Sequence, residues 1–222
     1  MPSLVVKTPP TAEPVSVPEA KAHLNVTIPD DDQLIQLLIR TCRTTIEREY
    51  DVAYMSQSLV LGRDYFPNVF GIGWGWSPGW WLGNTWMAQY SMEELRYGFI
   101  KLRSPVQSVT QVTYLDGSGA SQVWASSNYI LDKDSQPGRL GLALGKTYPT
   151  TAPVIEAVQI EFIAGATAPE LVPDDWKLAL KLYLGEYYEN REQMIIGTRL
   201  VAIPIPDGVE KLMAPVSPVL LR

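Results

Sequence analysis

The sequence has 222 residues, 46% of them apolar, a formal charge of −6, one cysteine and one histidine. That length and apolar share exclude whole-chain disorder, and the single Cys42 and His23 exclude an internal disulfide and a Cys/His zinc site. No run approaches the ~18 uncharged apolar residues of a membrane span, and the Lys and Arg residues are scattered rather than striped, which disfavours tight nucleic-acid binding.

Residues 1–15 contain four prolines and little that can pack, so an extended N-terminal arm is expected, ordered only on a partner. The start "MPSLVVKTPPTAEP" lacks the apolar run of a signal peptide, so synthesis in a cytoplasm is expected. "SVPEAKAHL" starts a short helix, because Ser16 and Glu19 have capping-box spacing and Pro18 sits in the first turn; Asn25 to Pro29 ends it. In "DDDQLIQLLIRTCRTTIEREY" Asp30 is the expected N-cap of a helix of roughly 20 residues. Leu34, Leu37, Leu38, Cys42 and Ile46 are its expected apolar stripe, with Arg40, Arg43 and Glu47 mostly opposite.

From about Met55 to Gly165 the apolar period changes to two. "SLVLGRDYF", "GFIKLRS", "VQSVTQVTYLD", "SQVWAS", "NYILD" and "VIEAVQIEFIAG" read as strands, with "DGSG", "PG" and "YP" as turns. Helical pattern returns at "VPDDWKLALKLYLGEYYENREQM". Trp176, Leu180, Tyr183, Leu184 and Tyr187 make one face there, while Leu178 and Leu182 fall outside it. A helix apolar over so much of its circumference is buried on two sides, the second being offered to a neighbouring subunit. "DGVEKLM" predicts a last short helix before the extended tail "APVSPVLLR". The expected fold is α+β: a small helical bundle from residues 16–54 and 168–213, a β-rich insertion at 55–167, and tails at 1–15 and 214–222.

Chemistry-bearing patterns are sparse. Asp30, Asp31 and Asp32, like Asp174 and Asp175, could ligand a cation, but acids at a helix start are favoured by the macrodipole without one. His23 has no nucleophile in a recognisable setting, Cys42 lies in the apolar stripe, and "GIGWG" lacks the third glycine and strand-to-helix context of a dinucleotide loop. No catalytic, cofactor-binding or metal site is expected. In "YYENRE" Arg191 with Glu189 or Glu192 suits an inter-subunit ion pair, and a solvated helix end equally.

Three stretches together resemble the head-tail connector proteins of tailed bacteriophages, also called adaptor or head-completion proteins. They are "VSVPEAKAHLNV" with "DDDQLIQLLIRTCRTTIE"; "IKLRSPVQSVTQVTYLDGSG" with "NYILD" and "PGRL"; and "VQIEFIAGA", "VPDDWKLALKLYLGEYYENRE" and "IPDGVEKLMAP". The likeness runs over roughly residues 14–66 and 98–216, in the family's order. It implies a non-enzymatic virion protein of the neck, at the portal vertex. Its copies, a dozen by family habit, would form a ring that docks on the portal after DNA packaging and carries a tail-side or stopper protein. DNA would pass through the lumen without specific binding, and no cofactor or membrane is implied.

Residues 67–97 depart from that family's pattern. "GIGWGWSPGWW" holds four tryptophans and four glycines, and Trp86 follows. Three readings stand: an interface loop anchored by the rings, a local mini-core closed on Trp124, and a sugar-stacking platform, which would make the chain a carbohydrate- or cell-wall-binding virion module. The expected protein-protein interface comprises Trp74, Trp76, Trp80, Trp81 and Trp86 in this loop and Leu178, Leu182, Tyr188 and Arg191 on the long helix. Pro215, Val219, Leu220, Leu221 and Arg222 in the tail complete it, the tail being the segment expected to reach into the portal.

Overall fold

The computed structural model describes residues 3–67, 98–190, 195–196, 199–200 and 205–213. It divides into two compact units, one of Met1–Pro9 with Gln57–Ala164 and one of Pro10–Ser56 with Gly165–Arg222. The fold class is α+β: helices come from both ends of the chain and most of the antiparallel strands from its middle, with one more strand at Ser3–Thr8 and a short antiparallel pair at Ile195–Ile196 and Arg199–Leu200.

The first unit is built on β1 (Ser3–Thr8), β2 (Gln57–Arg63), β3 (Phe99–Leu102), β4 (Val106–Leu115), β5 (Ser121–Val123), β6 (Tyr129–Asp132), β7 (Gly138–Leu142) and β8 (Val158–Ala164). A five-stranded antiparallel sheet runs β1-β2-β8-β4-β5 and a three-stranded one β3-β7-β6. Alternation puts Leu59, Leu61, Val112, Val158, Ile160 and Phe162 on the buried side of the large sheet, as the period of two requires. Beside them Phe66 stacks on Tyr148 with ring centroids 5.0 Å apart, and Trp124 lies 5.1 Å from Phe66 and 5.4 Å from Tyr129.

Two strands differ from expectation. Ser3–Thr8, expected to need a partner for order, pairs antiparallel with β2 from Ser3↔Gly62 to Thr8↔Ser58 and forms the sheet's edge. Proline-poor "SLVVKT" is long enough to donate a ladder even though prolines follow it. "PG", expected as a turn, ends one instead: Pro137 lies in the bend and Gly138 already opens β7, paired with Leu102.

The β4–β5 turn forms where "DGSG" predicts it. Asp116 accepts from Ser118 N at 2.9 Å, Ala120 N at 3.1 Å and Gln122 Nε2 at 2.9 Å, and from the Ser118 hydroxyl. The Ser118 and Gln122 side-chain bonds hold the Asp116 carboxyl down at about 2, and the Ser135 hydroxyl with Arg139 does the same for Asp132. A depressed folded pKa stabilises the fold fully above the unfolded value of 3.8 and loses that contribution as pH falls through about 2. Carboxyl NMR titration is therefore expected to find both midpoints near 2. Ser118→Ala with Gln122→Ala is expected to return Asp116 alone towards 3.8; two midpoints of ordinary value in the unaltered chain would contradict these turns.

The second unit contains α1 (Val17–Leu24), α2 (Asp32–Glu49), α3 (Asp174–Glu189) and α4 (Asp207–Met213). Ser16 and Glu19 make the expected capping box, with Ser16 N donating to Glu19 Oε2 at 2.8 Å, and Asn25 ends α1 at φ 55°. The N-cap of α2 is Asp31, one residue later than expected. The carboxylate that would cap instead accepts the Tyr188 hydroxyl, while Asp32 takes Lys21 Nζ at 2.6 Å.

The buried stripe of α2 is also rotated from the expected one. Ile35, Ile39, Cys42 and Ile46 are fully buried, Leu38 packs at the margin of the core, and Leu37 is 59% exposed. Arg43 and Glu47, expected on the outer side, are only 6% and 4% exposed. They are buried as a paired set: Arg43 Nε donates to Glu13 Oε2 at 2.7 Å, Arg43 Nη1 to Glu47 Oε2 at 2.9 Å, and Tyr54 N to Glu47 Oε1 at 2.9 Å. The chain of contacts continues through the Tyr54 hydroxyl to the Trp176 carbonyl on α3 at 3.0 Å. Trp176, Ala179, Leu180, Tyr183 and Leu184 of α3 and Val209 and Met213 of α4 complete this core.

Candidate protein-protein interface

The acidic start of α3 follows Pro173, whose carbonyl accepts from Trp176 N and Lys177 N at 3.1 Å. Asp174 and Asp175 thus occupy the first turn, where the helix dipole favours negative charge. Once Trp176, Leu180 and Tyr183 face inward, the 3.6-residue period turns Leu178 and Leu182 outward. They are 44% and 36% exposed and stand one turn apart on one face. Leu171, just before the helix, is exposed as well.

Leu182 also touches the start of α4. A Cβ on Gly208 would lie 3.3 Å from Leu182 Cδ1, so the missing side chain lets α4 approach that leucine. Among the predicted residues, then, Leu178 and Leu182 share a surface. Tyr188 is half-buried and donates its hydroxyl to Asp31 at the start of α2. Trp74, Trp76, Trp80, Trp81, Trp86, Arg191, Pro215, Val219, Leu220, Leu221 and Arg222 lie outside the described residues. Two further leucines are exposed in this unit: Leu37 on α2, expected inside on periodicity, and Leu171, which precedes any helical repeat.

In the β unit a shallow groove of about 420 Å³ crosses the solvent side of the large sheet, between Lys7, Val60, Gln111, Thr113 and Glu161. Its walls are fastened by the Lys7–Glu161 ion pair at 2.7 Å and by Ser3 donating to Glu156. The groove therefore spends its charged groups on holding β1. Cys42 is buried and its thiol is pushed up to about 12 by desolvation, which makes it a packing residue. Asp31 and Asp32 are engaged by Tyr188 and Lys21, as acids doing structural work. No helix among the described residues is long and apolar enough to cross a membrane.

No protein-family model matches the sequence, and no curated protein matches it. Solved structures do. A chain in the virion of a native gene transfer agent particle matches with TM-score 0.66 and 21% identity over 96% of this chain and 94% of that one. A chain in the neck of the empty particle, computed with C6 symmetry, matches with TM-score 0.65 and 23% identity over 98% of this chain and 95% of that one. This chain has the fold of a gene transfer agent neck chain. The native neck, computed with C12 symmetry, gives TM-score 0.63 and 23% identity over 98% and 94% of the two chains. Coverage of 98% of this chain means that the likeness takes in both its helical and its β-rich parts.

Proposed function

We propose that the protein is a structural component of a phage or phage-like neck: a head-tail adaptor whose copies form a ring, docked on the portal and joining capsid to tail after DNA packaging. The observation that carries this reading is the match in fold along nearly the whole chain to neck structures computed with C6 and C12 symmetry. The sequence resemblance points the same way independently. A ring of twelve follows the higher of those symmetries, and no catalysis is assigned to it.

Leu178 and Leu182 fit a contact between ring neighbours, since an apolar face repeated around a rotation axis is covered by the next copy. The tryptophans of residues 67–97 are assigned to neighbours or a tail-side protein on composition, and residues 214–222 to the portal. Charge supports a passage role for the helical part. Residues 10–56 and 165–222 hold sixteen acidic and ten basic residues, the whole of the −6, whereas the remainder holds eight of each. Twelve copies at −6 carry −72, and acidic helical segments turned to the lumen would let DNA slide by like-charge repulsion.

The test is to mix the protein with its portal and image the complex. An annulus beneath the portal is expected, and its absence overturns the reading. Leu178→Asp with Leu182→Asp is expected to weaken neighbour association at least ~100-fold, about tenfold per removed anchor. The helical signal of the free chain should stay unchanged, because both side chains are already partly in water. Wild-type ring formation by the double variant would remove this face from the interface.

A further inference from the structure

The edge strand β1 belongs by its bonds to one unit and by its chain connection to the other. Its ladder partner is β2, and its side-chain fasteners are Glu161, reached by Lys7, and Glu156, reached by Ser3. Gly62 shapes the seat: a Cβ there would strike the Ser3 hydroxyl and come within 3.1 Å of the Glu156 carboxyl. All of these partners lie in Gln57–Ala164.

A few residues further on, the chain is fixed elsewhere. Glu13 is bonded to Arg43, and Val15 is buried in the helical core. Only Pro9, Pro10, Thr11 and Ala12 join the two anchorages, without helix or strand. Two adjacent prolines favour an extended backbone, and the five steps from Thr8 to Glu13 reach up to about 17 Å. β1 is thus a six-residue plug on a short, stiff hinge.

Nothing in the seat distinguishes a plug from its own chain from the plug of an identical chain. The ladder, the Lys7–Glu161 pair and the Ser3–Glu156 bond form equally in either case, so exchange between copies costs little once a neighbour is held nearby. A free copy closes the strand on itself, and a ring supplies the neighbour's seat at high effective concentration.

We propose that in the assembled ring β1 of each copy pairs with β2 of the adjacent copy, interlocking the ring by strand exchange. The proposal rests on the ring reading above and names the occupant of the β2 edge as residues 3–8 of a second copy. It also explains why a closed monomer and an exchanged ring can be built from one set of contacts.

The test uses Val5 and Val60, which face each other across the ladder and both border the groove on the solvent side. Cys42 does not interfere, because it is buried and its thiol is held at about 12. Rings assembled from Val5→Cys/Val60→Cys protein and oxidised are expected to run as a ladder of covalent multimers on a non-reducing gel. Rings assembled from a mixture of the two single variants are expected to give a disulfide-linked dimer. Rings whose double variant runs only as a monomer with an internal disulfide, with no dimer from the mixture, overturn exchange while leaving the neck reading intact. Rings in which no disulfide forms also overturn it, since pairing in trans sets the same two positions opposite each other. Failure to form any ring overturns both proposals. As a second measurement, deleting residues 1–8 is expected to reduce the assembled fraction at fixed concentration at least tenfold with the monomer's helical signal retained; undiminished assembly overturns exchange.

Discussion

Gly165→Ala is expected to destabilise the chain by about 3 kcal/mol or more, a loss of roughly 6–12 °C in melting temperature for a chain of this size. Two independent penalties meet at this residue. Its φ is +104°, a backbone conformation that L side chains rarely adopt, and a Cβ would fall on the Met55 carbonyl group and 2.8 Å from Ser56 N. The obstructing atoms are main chain, so no rotamer change relieves them. Nor can the main chain move away cheaply: Ser56 N donates to the Ala166 carbonyl at 2.8 Å and Ala166 N to the Tyr54 carbonyl at 3.0 Å, one on each side of the close approach. Gly119→Ala is the control. Its φ is also positive, at +83°, but its Cβ would meet nothing within 4 Å, so only the backbone penalty of about 1 kcal/mol applies. Thermal unfolding of both variants checks the pair, and equal losses would mean that the Met55 contact contributes nothing.

The sequence was most informative where a few adjacent residues decide the structure. Ser16 and Glu19 specify the start of α1 by themselves, Asp116 to Gly119 specify a turn, and "DGVEKLM" its short helix. The stripe of α2 was misread because Leu34, Ile35, Leu37, Leu38 and Ile39 crowd one and a half turns, so local periodicity admits more than one inward face. Distant partners decide between them. Glu13, thirty residues before Arg43, and Tyr54, seven after Glu47, turn a charged pair inward and leave Leu37 in water. The edge strand was missed for a related reason: three apolar residues beside prolines look like an arm until β2 supplies a ladder. On the candidate surface, Leu178 and Leu182 could be read from surplus apolar area on α3 alone. The Tyr188–Asp31 bond joins residues 157 apart and left no local pattern to find.

Arg43→Ala is the larger loss expected within the helical unit, about 3–5 kcal/mol. Burial favours the neutral guanidinium, yet the hydrogen bonds and charges of Glu13 and Glu47 outweigh it and raise the Arg43 pKa. The charge is therefore retained at every pH at which the fold is stable. Removing it strands the buried Glu47 carboxylate, which also receives Tyr54 N and so fixes the tyrosine whose hydroxyl reaches the Trp176 carbonyl. It leaves the part-buried Glu13 with the longer contact to Arg40 at 3.8 Å. The size of the loss comes from the orphaned Glu47 charge more than from the pair's own strength, because a buried ion pair roughly offsets its own desolvation. That difference is measurable. Arg43→Met combined with Glu13→Gln and Glu47→Gln leaves no buried charge, keeps an acceptor for Tyr54 N, and is expected to recover at least half of the stability lost in Arg43→Ala. Urea unfolding of the three chains distinguishes the cases: a triple variant as unstable as Arg43→Ala would show that the guanidinium's packing, rather than the charges it neutralises, holds α2 to the start of the chain.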